Sequence, residues 1–479
     1  MIRLTRTIKR AVVLTALSLP LLAPQAQAAP EILAPTLSVR TAVSGLDQPI
    51  SLAFLGSNDM LVLEKATGKV QRVVDGAVMG TVLDLPVNSA SERGLLGIAL
   101  HPRFFTNGFV YLYWSETLSG ADSASITDVP LLGNRVDRFV WDGSALTFDA
   151  NVIRLRAFQA DAGQPPRGNH DGGVLRFGPD GKLYVLIGDV GRRGQLQNLV
   201  DGPFGPGQPD DQFGGPEPDD AHLTGTILRL NDDGTAPADN PFFEAGAVMG
   251  GEVGENVQKI FAYGLRNSFG MAFDPKSGRL WEEENGDDSF TELNIAEPGF
   301  NSGWVQIMGP VERISQFKEI ETSPEFFGLQ QIRWPPTNIA DSPEEALSRL
   351  FTLPGSRFSD PEFSWKFEVA PAGIGFVEGR GLGPQFEGDL FVGAARTFLE
   401  GGHLFHFNLT GNRRQIGVDD PRLEDRVADN LAKFEITESE SLLIGRNFGI
   451  GTDIQTGPNG NLFVVSLSDG AVYEIFRRR

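Results

Sequence analysis

FGPDGKLYVLIGD, residues 177–189, is a strand that halts, turns at Pro-Asp-Gly and resumes with apolar residues at Leu183, Val185 and Ile187. The same plan returns in FLGSNDMLVLEKATGKVQRV, HPRFFTNGFVYLYW, FDPKSGRLWEEENG, FEGDLFVGAARTF and TGPNGNLFVVSLSDGAVYEI. Each unit places a turn, usually with Asn or Asp and Gly, between two short strands. A chain built this way cannot form helical layers. Its short strands need closed or radial packing to protect their edges, and hairpins repeated at long intervals predict an all-β, six-bladed β-propeller.

The units are spaced more widely than the roughly 40–50 residues of a minimal blade, so insertions are expected. An insertion at about residues 200–222, in the stretch DGPFGPGQPDDQFGGPEPDDAHL (201–223), is too rich in Pro, Gly and Asp for regular structure. Residues 309–358 contain DSPEEALSRLF, where Ser342 is a helix N-cap, Pro343 stands at the first helical position and acids fill the first turn. Both insertions are expected on one face, where they could cover a site. NDDG, residues 231–234, reads as a hairpin turn rather than a calcium string.

The first 28 residues carry Arg3, Arg6, Lys9 and Arg10, an apolar run from Ala11 to Leu22, and Ala26-Gln27-Ala28. This is the pattern of a cleavable signal peptide, its apolar run being too short to span a bilayer. A periplasmic or secreted protein is expected, with one domain over residues 29–479. Loss of the leader leaves 37 basic against 62 acidic residues, a formal charge near −25. Nucleic acid and anionic lipid are poor partners for such a chain, and no later segment is apolar enough for a membrane helix. With no cysteine, disulfides, thiolate zinc sites and covalent haem are excluded.

Five segments then narrow the reading: ERGLLGIALHPRF, NHDGGVLRFGPDGKLYVLIGD, TGTILRLNDDGTAPADNPFF, FAYGLRNSFGMAFDPKSGRLW and ENGDDSFTELNIAEPGFNSGW. In order and wording they resemble the soluble glucose/sorbosone dehydrogenase family, whose studied members use pyrroloquinoline quinone (PQQ). The resemblance runs from about residue 45 to the end. The same fold resembles the extracellular part of animal hedgehog-interacting proteins, which bind without catalysing.

The resemblance implies roles residue by residue. His170 matches the general base that takes the proton of a sugar hydroxyl, a task that suits an imidazole. Asp189 matches the carboxylate that orients it. Arg266 and Asn267 match the pair at the reactive quinone carbonyl, where a guanidinium stabilises negative charge. Arg93, Asn169 and Arg396 complete the expected cofactor contacts, with Arg192, Arg193 and Arg446 as further cationic candidates. The carbonyls of Gly286 and Asp287 match ligands of a calcium ion, and Glu292 matches a ligand of a second calcium that in relatives supports a homodimer. The implied activity is oxidation of an aldose or related polyhydroxy substrate, with electrons passing to a separate acceptor.

The chain also departs from the pattern. Where tight PQQ binders carry R-x-R-D, it reads GIGTD, with Ile450 and Thr452 at the arginine positions, and Ile374 or Gly375 stands where a stacking aromatic is expected. PQQ carries three carboxylates, so a chain this acidic must concentrate cations in its pocket. Two other readings therefore stay open. One is a binding propeller that recognises a glycan or an extracellular protein. The other is a metal-dependent hydrolase, for which Glu284, Asp287 and Asp288 are the nominated cluster.

Overall fold

The computed structural model describes residues 28–158, 168–191, 223–323 and 339–478. The leader up to residue 27, the insertion at 200–222, Arg192 and Arg193 lie outside the described residues.

The repeated hairpin is realised by repeated turn chemistry. In the unit at 177–189, Gly178 N–H donates to Lys182 O at 2.9 Å and Gly181 N–H to Gly178 O at 2.9 Å, while Asp180 Oδ1 accepts Lys182 N–H at 3.0 Å. At 456–466 the same bonds recur: Gly457 to Asn461, Gly460 to Gly457, and Asn461 N–H to Asn459 Oδ1. Gly181 and Gly460 sit at φ of +73° and +77°, the left-handed region that glycine enters without steric cost. HPRFFTNG differs from the expectation of a plain turn: Phe104–Asn107 form one helical turn, ended by Gly108 at φ +67°.

The strands assemble into six sheets among the described residues. Each has an inner strand: Pro49–Gly56, Leu95–Leu100, Leu175–Phe177, Gly270–Phe273, Pro371–Phe376 and Gly451–Thr456. Each inner strand packs against the next in this order, and the last packs back against the first, so the fold is an all-β propeller with its inner strands around an axis. The ring is closed by sequence ends: strand Leu37–Ser44 pairs with Ala471–Arg477 in one sheet. Asp453 adds a second closure, accepting from Ser51 Oγ (2.7 Å), Leu52 N–H (3.1 Å) and Arg176 (2.8 Å). It thereby ties the last inner strand to the first and third.

Sheet faces pack through aromatic and branched side chains. Between two adjacent sheets, Trp281, Phe363, Trp365, Phe405 and Phe407 form one buried cluster. Phe363 lies edge-on to Trp365 with ring centroids 4.8 Å apart. Each such side chain contributes about 2–3 kcal/mol by leaving water. Helices are few. Pro343–Arg349 is capped by Ser342, whose side chain accepts Glu345 N–H, as its sequence predicts. Ile314–Glu321 packs Ile314 and Phe317 against Phe290 and Trp304. The short helices Phe243–Met249 and Gly251–Val257 carried no clear sequence signal. No helix among the described residues is long and apolar enough to cross a membrane.

Candidate active site

A cavity of about 630 Å³ opens where the inner strands meet, lined by residues from all six sheets and the loops beyond them. GNHDGG forms part of its wall, and the backbone explains why this stretch needs its glycines. Gly172 and Gly173 adopt φ of +62° and +96°, and a Cβ on Gly172 would meet Leu186 O at 2.8 Å. Gly173 N–H bonds Leu186 O at 2.9 Å. His170 itself sits at φ +63°, a strained setting for a non-glycine residue that persists only where its surroundings fix it. They do: its N–H donates to Glu92 Oε2 at 2.6 Å, and the next residue, Asp171, accepts from Tyr113 OH and from Asn134 Nδ2.

The side chain of His170 is buried except toward the cavity, and its Nδ1 lies 2.6 Å from Asp189 Oδ1. Asp189 follows strand Leu183–Ile187 and is fully buried. Its other oxygen accepts Trp304 Nε1–H at 3.0 Å, and its N–H donates to Arg266 O at 2.8 Å. This pairing places the proton of a neutral imidazole on Nδ1 and leaves the Nε2 lone pair to the cavity. The arrangement is a base with an orienter, and the buried carboxylate stabilises the imidazolium formed on proton uptake.

Arg266 stands on the same wall. Its guanidinium donates to the carbonyls of Asn285 (3.0 Å) and Gly286 (2.9 Å) and to Asp287 Oδ1 (2.6 Å), and lies 5.4 Å from the centroid of Trp304. Burial opposes its charge, but the carboxylates of Asp287 and Asp189 outweigh burial and hold the guanidinium above its ordinary pKa. Its Nε and the Oδ1 of neighbouring Asn267 are buried without a partner among the described residues. Both residues line the cavity. Gly188 locks the two loops together: a Cβ on it would meet His170 O at 2.6 Å and Arg266 O at 2.7 Å.

Electrostatics set this cavity apart from the rest of the chain. Its lining holds five basic side chains, Lys65, Arg176, Arg266, Arg396 and Lys433, against four acidic ones, Glu92, Asp287, Glu368 and Asp453, while the whole chain carries a formal −21. Burial pushes Glu368 up to about 7, which weakens one of the four negative charges near neutral pH. The lining suits an anion far better than the protein surface does. PQQ, with three carboxylates, fits this donor set.

The calcium expectation meets a different arrangement. The Gly286 carbonyl accepts from Arg266, and the Asp287 carbonyl accepts from Lys433 Nζ at 3.1 Å. Each expected ligand oxygen therefore already accepts one hydrogen bond from a protein cation. Glu292 is buried inside its sheet, accepting from Asn294 Nδ2 and the Gly309 N–H, and belongs to no carboxylate cluster able to hold a metal among the described residues. The acidic cluster that does form is Asp287, Asp288 and Glu321, whose oxygens lie within 4.8 Å of one another. Glu284, nominated from sequence, turns away: it accepts the Arg266 N–H and Ser302 Oγ. Glu321 takes its place from helix Ile314–Glu321, accepting from Asp288 N–H, Ser289 N–H and Ser289 Oγ. Burial first, then the charges of Asp287 and Asp288, push Glu321 up to about 8.

The other sequence candidates divide. Asn169, Asn267, Arg396, Ile374, Ile450 and Thr452 line the cavity. Arg93 does not. It is fully buried behind the wall, donates to Ile126 O, and lies under Gly168, where an added Cβ would strike its guanidinium. Arg446 is also remote, paired with Glu31 and Glu400. None of the described part of 309–358 lines the cavity; it buttresses Trp304 and the Asp288 loop from behind instead of covering them. Glu92, Trp304, Glu368, Lys433 and Phe434 were not singled out from sequence. The first two stand inside matched segments, ERGLLG and NSGW, but the last three carry no local signal, since the tertiary fold alone brings them to the wall.

Comparison with known proteins places the chain in a family. The family model described as Glucose / Sorbosone dehydrogenase matches residues 46–342. The chain is 30% identical over 453 residues to the uncharacterized protein slr1608 of Synechocystis, covering 90% of this chain and 84% of that one. It is 35% identical over 278 residues to Quinoprotein glucose dehydrogenase B of Acinetobacter calcoaceticus, covering 56% of this chain and 52% of the relative. Its fold matches the PQQ-bound form of Aldose Sugar Dehydrogenase from Streptomyces coelicolor with a TM-score of 0.57 at 24% identity, covering 92% of this chain and 98% of that one. The chain belongs to the glucose/sorbosone dehydrogenase family.

Proposed function

We propose that this chain is an exported PQQ-dependent dehydrogenase that oxidises an aldose or related polyhydroxy substrate and passes the electrons to a separate acceptor. In this reading the six sheets are six blades of one domain over residues 29–479, behind a cleaved leader. The observation that carries the proposal is the His170–Asp189 pair at 2.6 Å sharing a cation-rich cavity wall with Arg266.

PQQ, when bound, supplies the acceptor for the hydride that leaves the substrate carbon. The protein supplies the rest. His170 Nε2 takes the hydroxyl proton, Asp189 stabilises the resulting imidazolium, and Trp304 holds that carboxylate in place. Arg266 and Asn267 would hold the cofactor, with Arg266 stabilising negative charge that develops beside it. Lys65, Arg396 and Lys433, on the same lining, would balance its carboxylates. No step is assigned to calcium, because protein cations hold the Gly286 and Asp287 carbonyls.

Calorimetric titration of the mature protein with PQQ, with and without calcium, tests the reading. Saturable binding, followed by dye reduction with an aldose that is lost in His170→Ala, is the expected result. Absence of binding at tens of micromolar PQQ overturns it and leaves a binding propeller.

A further inference from the structure

The segment 430–437 is far from any matched motif, yet it enters the cavity. Asn430, buried to 1% exposure, accepts Phe367 N–H at 2.8 Å and donates to the carbonyls of Phe367, Ala432 and Glu435 at 3.1 Å. Glu435 accepts from Leu431 N–H and Thr437 N–H, closing the segment on itself. The clasp ends in Lys433 and Phe434, both on the cavity wall. Phe434 stands at φ +58°, a conformation that costs a bulky residue about 1–3 kcal/mol, and its N–H is held by Glu368 O at 2.8 Å. Its ring meets Phe398 edge-on at 5.1 Å. A loop stitched this tightly around a strained aromatic residue fixes what that residue presents.

Lys433 has three ammonium donors. Two are used, on Asp288 Oδ1 at 2.6 Å and Asp287 O at 3.1 Å, and its side chain remains 27% exposed. Its ammonium also lies 5.7 Å from the centroid of the Phe434 ring, so cation and ring form one patch with one N–H not taken by an oxygen. The other cations on the wall are Lys65, which bonds Ser91 O, Arg176, tied to Asp453, Arg266, tied to Asp287, and the exposed Arg396; Lys433 is the one that stands beside an aromatic ring of the same wall. Ile450 and Thr452, on the same lining, bring no charge.

We propose that Lys433 and Phe434 form a binding wall for a flat, polycarboxylate ligand, Lys433 pairing with a carboxylate and Phe434 covering a ring face. This rests on the cofactor reading above for the ligand's identity, but its residues are this chain's own. They supply a cation and an aromatic surface from a segment that no family motif covers, and Lys433 also donates to the Asp287 carbonyl.

The test is calorimetric affinity in calcium-free buffer for two probes, PQQ and citrate, the latter a tricarboxylate without a ring. Lys433→Met is expected to weaken both by about tenfold or more, consistent with loss of one charge-assisted contact. Lys433→Arg should stay within about threefold, since the charge is kept. Phe434→Leu should weaken PQQ by about threefold to tenfold and leave citrate nearly unchanged. Thermal melts confirm that each variant is folded. Equal PQQ and citrate affinities for wild type and a folded Lys433→Met overturn the proposal. Binding of citrate but not PQQ, still dependent on Lys433, overturns the cofactor reading and supports the anion wall. Binding of neither probe by wild type overturns the proposal.

Discussion

Replacing Asp189 by Asn probes the catalytic pair through a tautomer. The Asp189 carboxylate accepts two N–H groups at once, His170 Nδ1 at 2.6 Å and Trp304 Nε1 at 3.0 Å. An indole nitrogen can only donate, whereas imidazole can do either. The single oxygen of the introduced amide must therefore face Trp304, and its NH₂ then faces His170 Nδ1. That nitrogen has to accept, which puts the proton on Nε2, where a base needs its lone pair. Flipping the amide opposes NH₂ to the indole and leaves a buried donor unsatisfied, at about 1–3 kcal/mol. The productive tautomer is thus a minority of roughly one part in 5 to 150, and the charge that stabilises imidazolium is lost as well. Since a positioned general base contributes about 10²–10⁴-fold, kcat is expected to fall by that order in steady-state dye reduction with PQQ-loaded enzyme and an aldose. PQQ affinity should change little. Adding Trp304→Phe frees the amide to turn its oxygen to Nδ1 and should recover about tenfold relative to Asp189→Asn alone. A single variant within about fivefold of wild type refutes the assigned role; a full loss with no recovery in the double variant refutes the tautomer argument and leaves the carboxylate charge as the cause.

Further outcomes follow from other contacts. Gly188→Ala drives a Cβ to within 2.6 Å of His170 O and 2.7 Å of Arg266 O, so the two loops must separate; a loss of about 1–3 kcal/mol of stability and a larger drop in activity are expected from melts and rates. Asp453→Ala strands Arg176 and breaks the bonds that close the ring at Ser51 and Leu52; denaturant unfolding should register about 3–5 kcal/mol. Asp171, fully buried, is pushed up to about 6 from 3.8, chiefly by burial, against the pull of Arg93. A carboxyl raised in the folded state stabilises fully below its unfolded pKa and loses that contribution as pH rises through the folded value. Stability should therefore fall between about pH 4 and 6, by up to about 3 kcal/mol from this group, and Asp171→Asn should flatten that part of the profile.

Much of the architecture was legible because its determinants are local. A Pro-Asp-Gly or Pro-Asn-Gly turn closes through bonds spanning four residues, so the hairpins at 177–189 and 456–470 are written in consecutive letters, as is the Ser342 cap. His170 and Asp189 were legible only through the family resemblance; the structure adds that they flank one hairpin, whose strand pairing returns Asp189 to the His170 loop. HPRFFTNG was less legible, since Asn-Gly ends a helical turn as readily as it makes a hairpin.

What the sequence could not supply was charge placement across the axis. Arg93 has the residue type of a cofactor contact, but it lies in the loop before strand Leu95–Leu100, packed under Gly168 and away from the cavity. Glu284 has the type of a metal ligand but faces Arg266 and Ser302, while Glu321, more than thirty residues on, completes the acidic cluster. Lys433 reaches Asp287 and Asp288 across about 145 positions. The sequence by itself determined the hairpins and the closed all-β ring they require, because those depend on short-range backbone geometry, while the histidine–aspartate pair was reached through the family resemblance. Which cations and carboxylates meet in the cavity was decided by tertiary structure alone, because side-chain electrostatics depends on distance in space and the ring brings together residues from both ends of the chain.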